Sequence, residues 1–129
     1  MTTLGLNHVN LRAARELLDA LRDFYCDVVG LREGARPPFP RFGYWLYVGD
    51  QAVVHLSEAG PDETQRANVA TTFDHFAFDC ADRTGVEATL KRRDIAYRTM
   101  TVPLTGQVQL FIQDPAGNTV ELNFANGNA

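Results

Sequence analysis

Leu6-Asn7-His8-Val9-Asn10-Leu11 returns in outline, 67 positions on, as Phe73-Asp74-His75-Phe76-Ala77-Phe78. Val53-Val54-His55-Leu56-Ser57 returns in the same way as Thr119-Val120-Glu121-Leu122-Asn123. All three histidines of the chain therefore fall inside one internal repeat, which sets them and Glu121 at four equivalent positions. The chain reads as the same supersecondary unit written twice, with a pair of metal-capable side chains in each copy.

Periodicity fills in each copy. In the first, Leu4 to Leu11 reads as a strand. Ala13 to Val29 carries Leu17, Leu18, Leu21, Phe24, Tyr25 and Val28 on one helical stripe, stopped by Gly30. Arg36-Pro37-Pro38-Phe39-Pro40 excludes a central strand, and Phe42–Val48 with Ala52–Ser57 reads as a hairpin turned at Gly49-Asp50. Residues 58–72 are polar and broken by Gly60-Pro61, as a linker would be. The second copy reads as strand Phe73–Asp79, a helix capped by Asp82 and running to Arg93, then strands Ile95–Val102, Gln107–Gln113 and Thr119–Phe124. Asp114-Pro115-Ala116-Gly117-Asn118 supplies the last turn, and Asn126–Ala129 reads as a frayed tail. The expectation is an α+β fold of one domain over residues 1–129, with βαβββ modules at about 4–57 and 73–124 joined by linker 58–72.

Alternation assigns the faces. Val54, Leu56, Val120, Leu122 and Phe124 share one parity, as do Val9, Leu11, Phe76 and Phe78, and this set should pack against the helices. His8, His55, His75 and Glu121 take the opposite parity. A cup-shaped mixed sheet follows, with helices on the outer face and a polar wall inside. Trp45, Tyr47, Gln107, Gln109 and Phe111 should look into the cup as substrate contacts. The proline-rich segment Arg36–Arg41 reads as a lid, with Arg36 or Arg41 meeting an anion.

A buried glutamate beside three imidazoles is costly unless a cation compensates it. Two His and one carboxylate suit iron or manganese, and three His with one Glu suit zinc or nickel, so one divalent ion (Fe, Zn, Ni or Mn) on His8, His75, Glu121 and His55 is expected. His55 either completes the coordination or stands beside the metal as a general base. The net charge of −4 argues against nucleic-acid and anionic-membrane partners, and no run of about 18 apolar residues could cross a membrane. Met1-Thr2-Thr3-Leu4 lacks the pattern of a signal peptide. Cys26 and Cys80 are too few for a disulfide framework, so a reduced, cytoplasmic setting is expected.

These residues resemble the vicinal oxygen chelate superfamily: glyoxalase I, extradiol dioxygenases, thiol-dependent fosfomycin resistance proteins and bleomycin-binding proteins. The resemblance runs from Leu6 to Phe124. It is carried by Leu6-Asn7-His8-Val9, Phe24-Tyr25-Cys26-Asp27-Val28-Val29-Gly30-Leu31, Asp74-His75-Phe76-Ala77-Phe78 and Asp114-Pro115-Ala116-Gly117-Asn118-Thr119-Val120-Glu121-Leu122. It implies two βαβββ modules around a divalent metal, often in a homodimer, and a small substrate chelated through adjacent oxygens. The metal would act as a Lewis acid on developing oxyanion charge. His8, His75 and Glu121 match the usual triad. His55 stands where glyoxalase I has a glutamate implicated in proton transfer, a departure that argues against the standard reaction.

Arg12 matches an arginine that meets the glutathione carboxylate in bacterial glyoxalase I, but Ala59 replaces the asparagine expected with it. Asn10, Gln109 and Phe111 replace hydroxyl-bearing residues of the fosfomycin enzymes. An extradiol dioxygenase would leave only His55 as its additional histidine. The reading is a metal-dependent glyoxalase-like enzyme of lyase or isomerase type, with His55 and Glu121 catalytic and Arg12, Trp45, Gln109 and Phe111 at the substrate. An extradiol-type dioxygenase and a metal-free small-molecule binding protein are the alternatives.

Overall fold

The computed structural model describes residues 1–63 and 71–125. The chain divides into two compact units, Met1–Arg66 and Ala67–Ala129. Each contains one four-stranded mixed sheet. The expected linker core, residues 64–70, and the expected tail, residues 126–129, lie outside the described residues.

In the first unit, β1 (Val9–Ala13) leads into α1 (Arg15–Phe24), a π-helical turn (Tyr25–Val29), β2 (Arg32–Gly34), β3 (Gly43–Val48) and β4 (Gln51–Glu58). The sheet order is β1-β4-β3-β2, with β1 parallel to β4 and the other pairs antiparallel. The expected hairpin turn at Gly49-Asp50 is present. α1 packs across β4, β1 and β3 and buries Leu18, Leu21 and Phe24, while Tyr25 and Val28 of the π turn continue the same stripe. Widening to π geometry stretches that stripe before Gly30 ends it at φ +95°, a left-handed conformation that glycine adopts without a Cβ clash.

The second unit repeats the plan. It runs β5 (His75–Cys80), α2 (Arg83–Arg92), β6 (Arg98–Thr101), β7 (Val108–Gln113) and β8 (Thr119–Phe124), with sheet order β5-β8-β7-β6 and β5 parallel to β8. Asp82 caps α2 by accepting from the Gly85 amide, as its sequence position suggested, and Leu90 is fully buried. The final turn is held by Asp114, which is 5% exposed. Its Oδ1 accepts from the Ala116 and Asn118 amides, each at 2.9 Å, and its Oδ2 accepts from Asn118 Nδ2 at 2.9 Å.

The apolar parity is buried on the central strands: Val54, Leu56, Val120, Leu122 and Phe124 are all 0–1% exposed. On the edge strands the matching residues Val9, Leu11, Phe76 and Phe78 are only half-buried. Several expected boundaries move. β1 begins at Val9 rather than Leu4; Leu4 and Leu6 have the parity of His8 rather than that of Val9 and Leu11, and stay 95% and 88% exposed. β5 begins at His75 rather than Phe73, and β6 spans four residues rather than the whole of Ile95–Val102. β2 carries no apolar alternation and is an edge strand of three residues.

The Asp114 turn gives a direct test of the second sheet. Asp114→Ala leaves two backbone donors and one amide donor without their acceptor, and is expected to destabilise the protein by about 3 kcal/mol in urea unfolding. A loss below about 0.5 kcal/mol would contradict this account of the turn.

Candidate functional site

The registers of the two parallel pairs decide where the four repeat residues go. In the first unit β1 and β4 pair with Asn10 opposite His55; in the second, β5 and β8 pair with Ala77 opposite Glu121. Asn10 and Ala77 each lie two positions after a histidine, so His8 shares a sheet face with His55, and His75 with Glu121. Tyr44 identifies the other face, since its hydroxyl bonds Asp19 at 2.6 Å and Arg22 at 2.9 Å on α1. The helix-side environment, burial first and then the bond to Asp19, pushes that phenol up to about 12.

In the first unit, His8 stands just before β1, exposed, and its ring stacks on His55 with centroids 3.7 Å apart and planes 14° apart. Trp45, directly across from His55 in the ladder, also stacks on it at 4.0 Å and 11°. His55 is 9% exposed within this stack of three rings. The Ala52 carbonyl lies 3.1 Å from its Nε2; a carbonyl only accepts, so Nε2 carries the hydrogen and a neutral ring keeps its lone pair on Nδ1. Burial, then the neighbouring His8, and further the charge of Arg36 hold the His55 pKa below its ordinary value. A cavity of about 410 Å³ adjoins the stack, with Asn7, Trp45, Tyr47, Asp50, Gln51 and His55 in its wall.

In the second unit, Glu121 is 6% exposed. Its Oε1 lies 3.1 Å from His75 Nε2, and its Oε2 accepts from Gln109 Nε2 at 3.0 Å. The other nitrogen of His75, Nδ1, is 2.6 Å from Asp74 Oδ2. The bond to Asp74 comes first, and with the Glu121 carboxylate it raises the His75 pKa above its ordinary value. Phe111 lies across from Glu121 in the ladder and packs edge-on against the His75 ring at 5.6 Å, while the Arg98 guanidinium covers Phe111 at 4.4 Å. A second cavity, about 640 Å³, is lined here by Tyr97, Arg98, Phe111, Gln113, Asp114 and Thr119.

Asn7 repeats the role of Asp74: its Oδ1 is 2.7 Å from His8 Nδ1. In both units, then, the residue before the histidine fixes a hydrogen on Nδ1 and leaves Nε2 as the outward nitrogen. In the second unit that nitrogen faces a carboxylate oxygen. Two acceptors at 3.1 Å repel unless a positive species lies between them, either a proton or a cation. This chemistry fits a divalent ion. Among the described residues, no three or more His, Cys, Asp or Glu side chains are grouped so as to hold one.

The expected substrate contacts divide. Trp45 lies against His55 and Phe111 against His75. Gln109 is engaged by the second oxygen of Glu121, a positioning role that its parity foreshadowed without naming its partner. Arg12 is gripped by Glu63 through two bonds, Nε–Oε2 at 2.6 Å and Nη2–Oε1 at 2.5 Å. Arg41 joins the same carboxylate at 3.1 Å.

Two mixed βαβββ sheets, with an imidazole and a further donor on matched registers, define a glyoxalase-type protein. The sequence profile of the Glyoxalase/Bleomycin resistance protein/Dioxygenase superfamily matches residues 5–122, and the chain belongs to that superfamily. Solved structures similar to it include lactoylglutathione lyase from Agrobacterium tumefaciens, at 26% identity over 96% of each chain and a TM-score of 0.65. A glyoxylase/bleomycin resistance protein/dioxygenase domain from Frankia sp. EAN1pec is 19% identical over 97% of this chain and 100% of that one, with a TM-score of 0.74. The trypanothione-dependent glyoxalase I of Leishmania major is 20% identical over 96% of this chain and 87% of that one, with a TM-score of 0.68. Comparison with curated proteins finds no match. Among the described residues no helix is long and apolar enough to cross a membrane.

The Arg12–Glu63 pair makes a pH prediction. The hydrogen bond from Arg12 holds the Glu63 carboxyl down at about 2, against an ordinary value near 4.5. A carboxyl whose folded pKa is depressed stabilises the fold above its unfolded pKa and loses that effect as pH falls through the folded one. The stability difference between wild type and Glu63→Gln should therefore be constant above about pH 5.5 and vanish toward pH 2. An equal difference at pH 6 and pH 2.5 would contradict the pairing.

Proposed function

We propose that the protein is a metal-dependent, glyoxalase-like enzyme of lyase or isomerase type. In this reading His8, His75 and Glu121 are the ligand set of one divalent ion, drawn from both repeats, and His55 is a fourth ligand or the base. The observation that supports it most is the duplicated arrangement of Asn7 on His8 and Asp74 on His75, in which the outward Nε2 is left to bind. Iron, zinc, nickel and manganese all suit the donor set.

Bound there, a divalent ion supplies Lewis-acid stabilisation of negative charge developing on two vicinal oxygens of the substrate. The remaining chemistry belongs to the side chains. His55, neutral near pH 7 because its pKa is lowered, accepts a proton at Nδ1 from the substrate carbon next to the carbonyl and returns it to the neighbouring position. Trp45 and His8 hold its ring in one plane, and the Ala52 carbonyl fixes which nitrogen is free. Gln109 keeps the Glu121 carboxylate turned toward His75. Trp45 and Phe111 give the substrate an apolar wall. The substrate is thus a small, partly apolar oxygenated molecule, and a cytoplasmic homodimer is the assembly this reading carries with it.

Elemental analysis of protein prepared without air, followed by assay of 2-oxoaldehyde–thiol adducts, tests the reading. About one zinc, nickel or manganese per chain with isomerase activity is expected. His75→Ala and Glu121→Ala should each lower bound metal at least tenfold and abolish turnover while leaving the fold intact. One iron per chain with oxygen uptake on a catechol would replace the lyase by a dioxygenase. Full metal occupancy in both variants would overturn the assigned ligands, and no metal after reconstitution would leave a binding protein.

A further inference from the structure

The first unit carries six arginines between Arg12 and Arg41, and the structure accounts for five of them. Arg12 and Arg41 share Glu63, Arg15 pairs with Glu58, Arg22 pairs with Asp23 and bonds Tyr44, and Arg32 donates to the Gly49 carbonyl. Arg36 is different. Its Nε is buried without a hydrogen-bond partner, and no carboxylate among the described residues pairs with it. An arginine side chain is a five-donor fork that is charged at every physiological pH, so a buried Nε–H without an acceptor, on a guanidinium that no carboxylate among the described residues pairs with, leaves that charge unmet.

Its position is also specified. A β-carbon on Gly43 would run into the Leu56 carbonyl oxygen and would stand 2.8 Å from Arg36 Nη2, so glycine at 43 is what lets the guanidinium lie against the sheet. Gly43 has the parity of Trp45 and the opposite parity to Tyr44, whose hydroxyl reaches α1. Arg36 therefore lies on the His55 face. Phe39 packs beneath the guanidinium at 5.1 Å and leans on Trp45 at 6.2 Å. Gly43 pairs with Ser57, and Ser57 with Arg12, so Arg12 is two strands away along the same row with its charge already taken by Glu63.

We propose that Arg36 is the anchor for a carboxylate on the substrate, held by its guanidinium fork at the Gly43 end of the His55 face. The proposal deepens the metalloenzyme reading, which supplies the reacting end of the molecule; Arg36 supplies its polarity. The substrate class narrows to small carboxylic acids that also carry vicinal oxygens. Of the two arginines of the proline-rich segment, the one that reads as free to meet an anion is Arg36, because Arg41 is bonded to Glu63 and to the Glu58 carbonyl.

The test observes the Arg36 Nε–H proton and nitrogen resonances while the full-length protein, with and without added zinc, is titrated with lactate, lactamide and, at matched ionic strength, sodium chloride. A saturable downfield shift with lactate in at least one of these samples, with little or none from lactamide or chloride, is expected as the buried donor gains an acceptor. Arg36→Gln should weaken lactate binding at least tenfold by Trp45 fluorescence, and Arg36→Lys should restore part of it. No lactate shift in either sample, or an equal shift with chloride, would overturn the proposal. The wild-type spectra decide this even if the glutamine variant fails to fold. Metal content is read on the same samples. A lactate shift without metal binding would sink the metalloenzyme and keep the Arg36 site, and metal binding without the shift would do the reverse.

Discussion

Glu121 is a carboxylate 6% exposed to solvent, with an imidazole nitrogen 3.1 Å from one oxygen and an amide donor 3.0 Å from the other. Leaving a buried carboxylate such as Glu121 without a counter-charge is costly, and the half-buried His75 ring is what stands across from it. A positive species between Nε2 and Oε1 relieves that cost. Asp74 takes the other nitrogen of His75, so the choice is between a second proton on the ring and a bound cation. The fold around β8 can be read as a means of holding this carboxylate still. Val120 and Leu122 on either side are only 0–1% exposed, and Gln109 and Phe111 bracket it on β7.

The first unit solves the same positional problem with different chemistry. The register that sets Ala77 beside Glu121 sets Asn10 beside His55. An imidazole in place of the carboxylate removes the charge problem and admits stacking. Trp45 and His8 cover His55 at 4.0 and 3.7 Å, and burial together with the neighbouring His8 disfavours protonation of His55. One repeat therefore presents an anionic, oriented donor, and the other a neutral ring with one nitrogen free.

The repeat and its parity were legible in the sequence because both follow from spacing. His8, His55, His75 and Glu121 fall at matched positions, and alternation alone separates them from Val54, Leu56, Val120 and Leu122. Helix caps were legible for the same local reason, at Gly30 and Asp82. What spacing could not supply was partner choice. Spacing marks Arg12 as a candidate substrate arginine but does not disclose its bond to Glu63, 51 residues away. Gln109 looked like a cavity wall until Glu121 claimed its amide. The edge strand Arg32–Gly34 has no pattern of its own and exists because Trp45 to Tyr47 offer it a ladder. The π turn at Tyr25–Val29 was invisible because its buried residues keep a helix-like stripe.

The proposed function rests on His8, His75 and Glu121 as metal ligands. Imidazole nitrogen resonances of the three histidines during a zinc titration test it most directly. The account predicts that the Nε2 signals of His8 and His75 move together and reach their end point at one equivalent. Their Nδ1 signals should keep the shifts of hydrogen-bonded donors to Asn7 and Asp74. Response of one unit's histidines without the other, or separate end points requiring two equivalents, would contradict it.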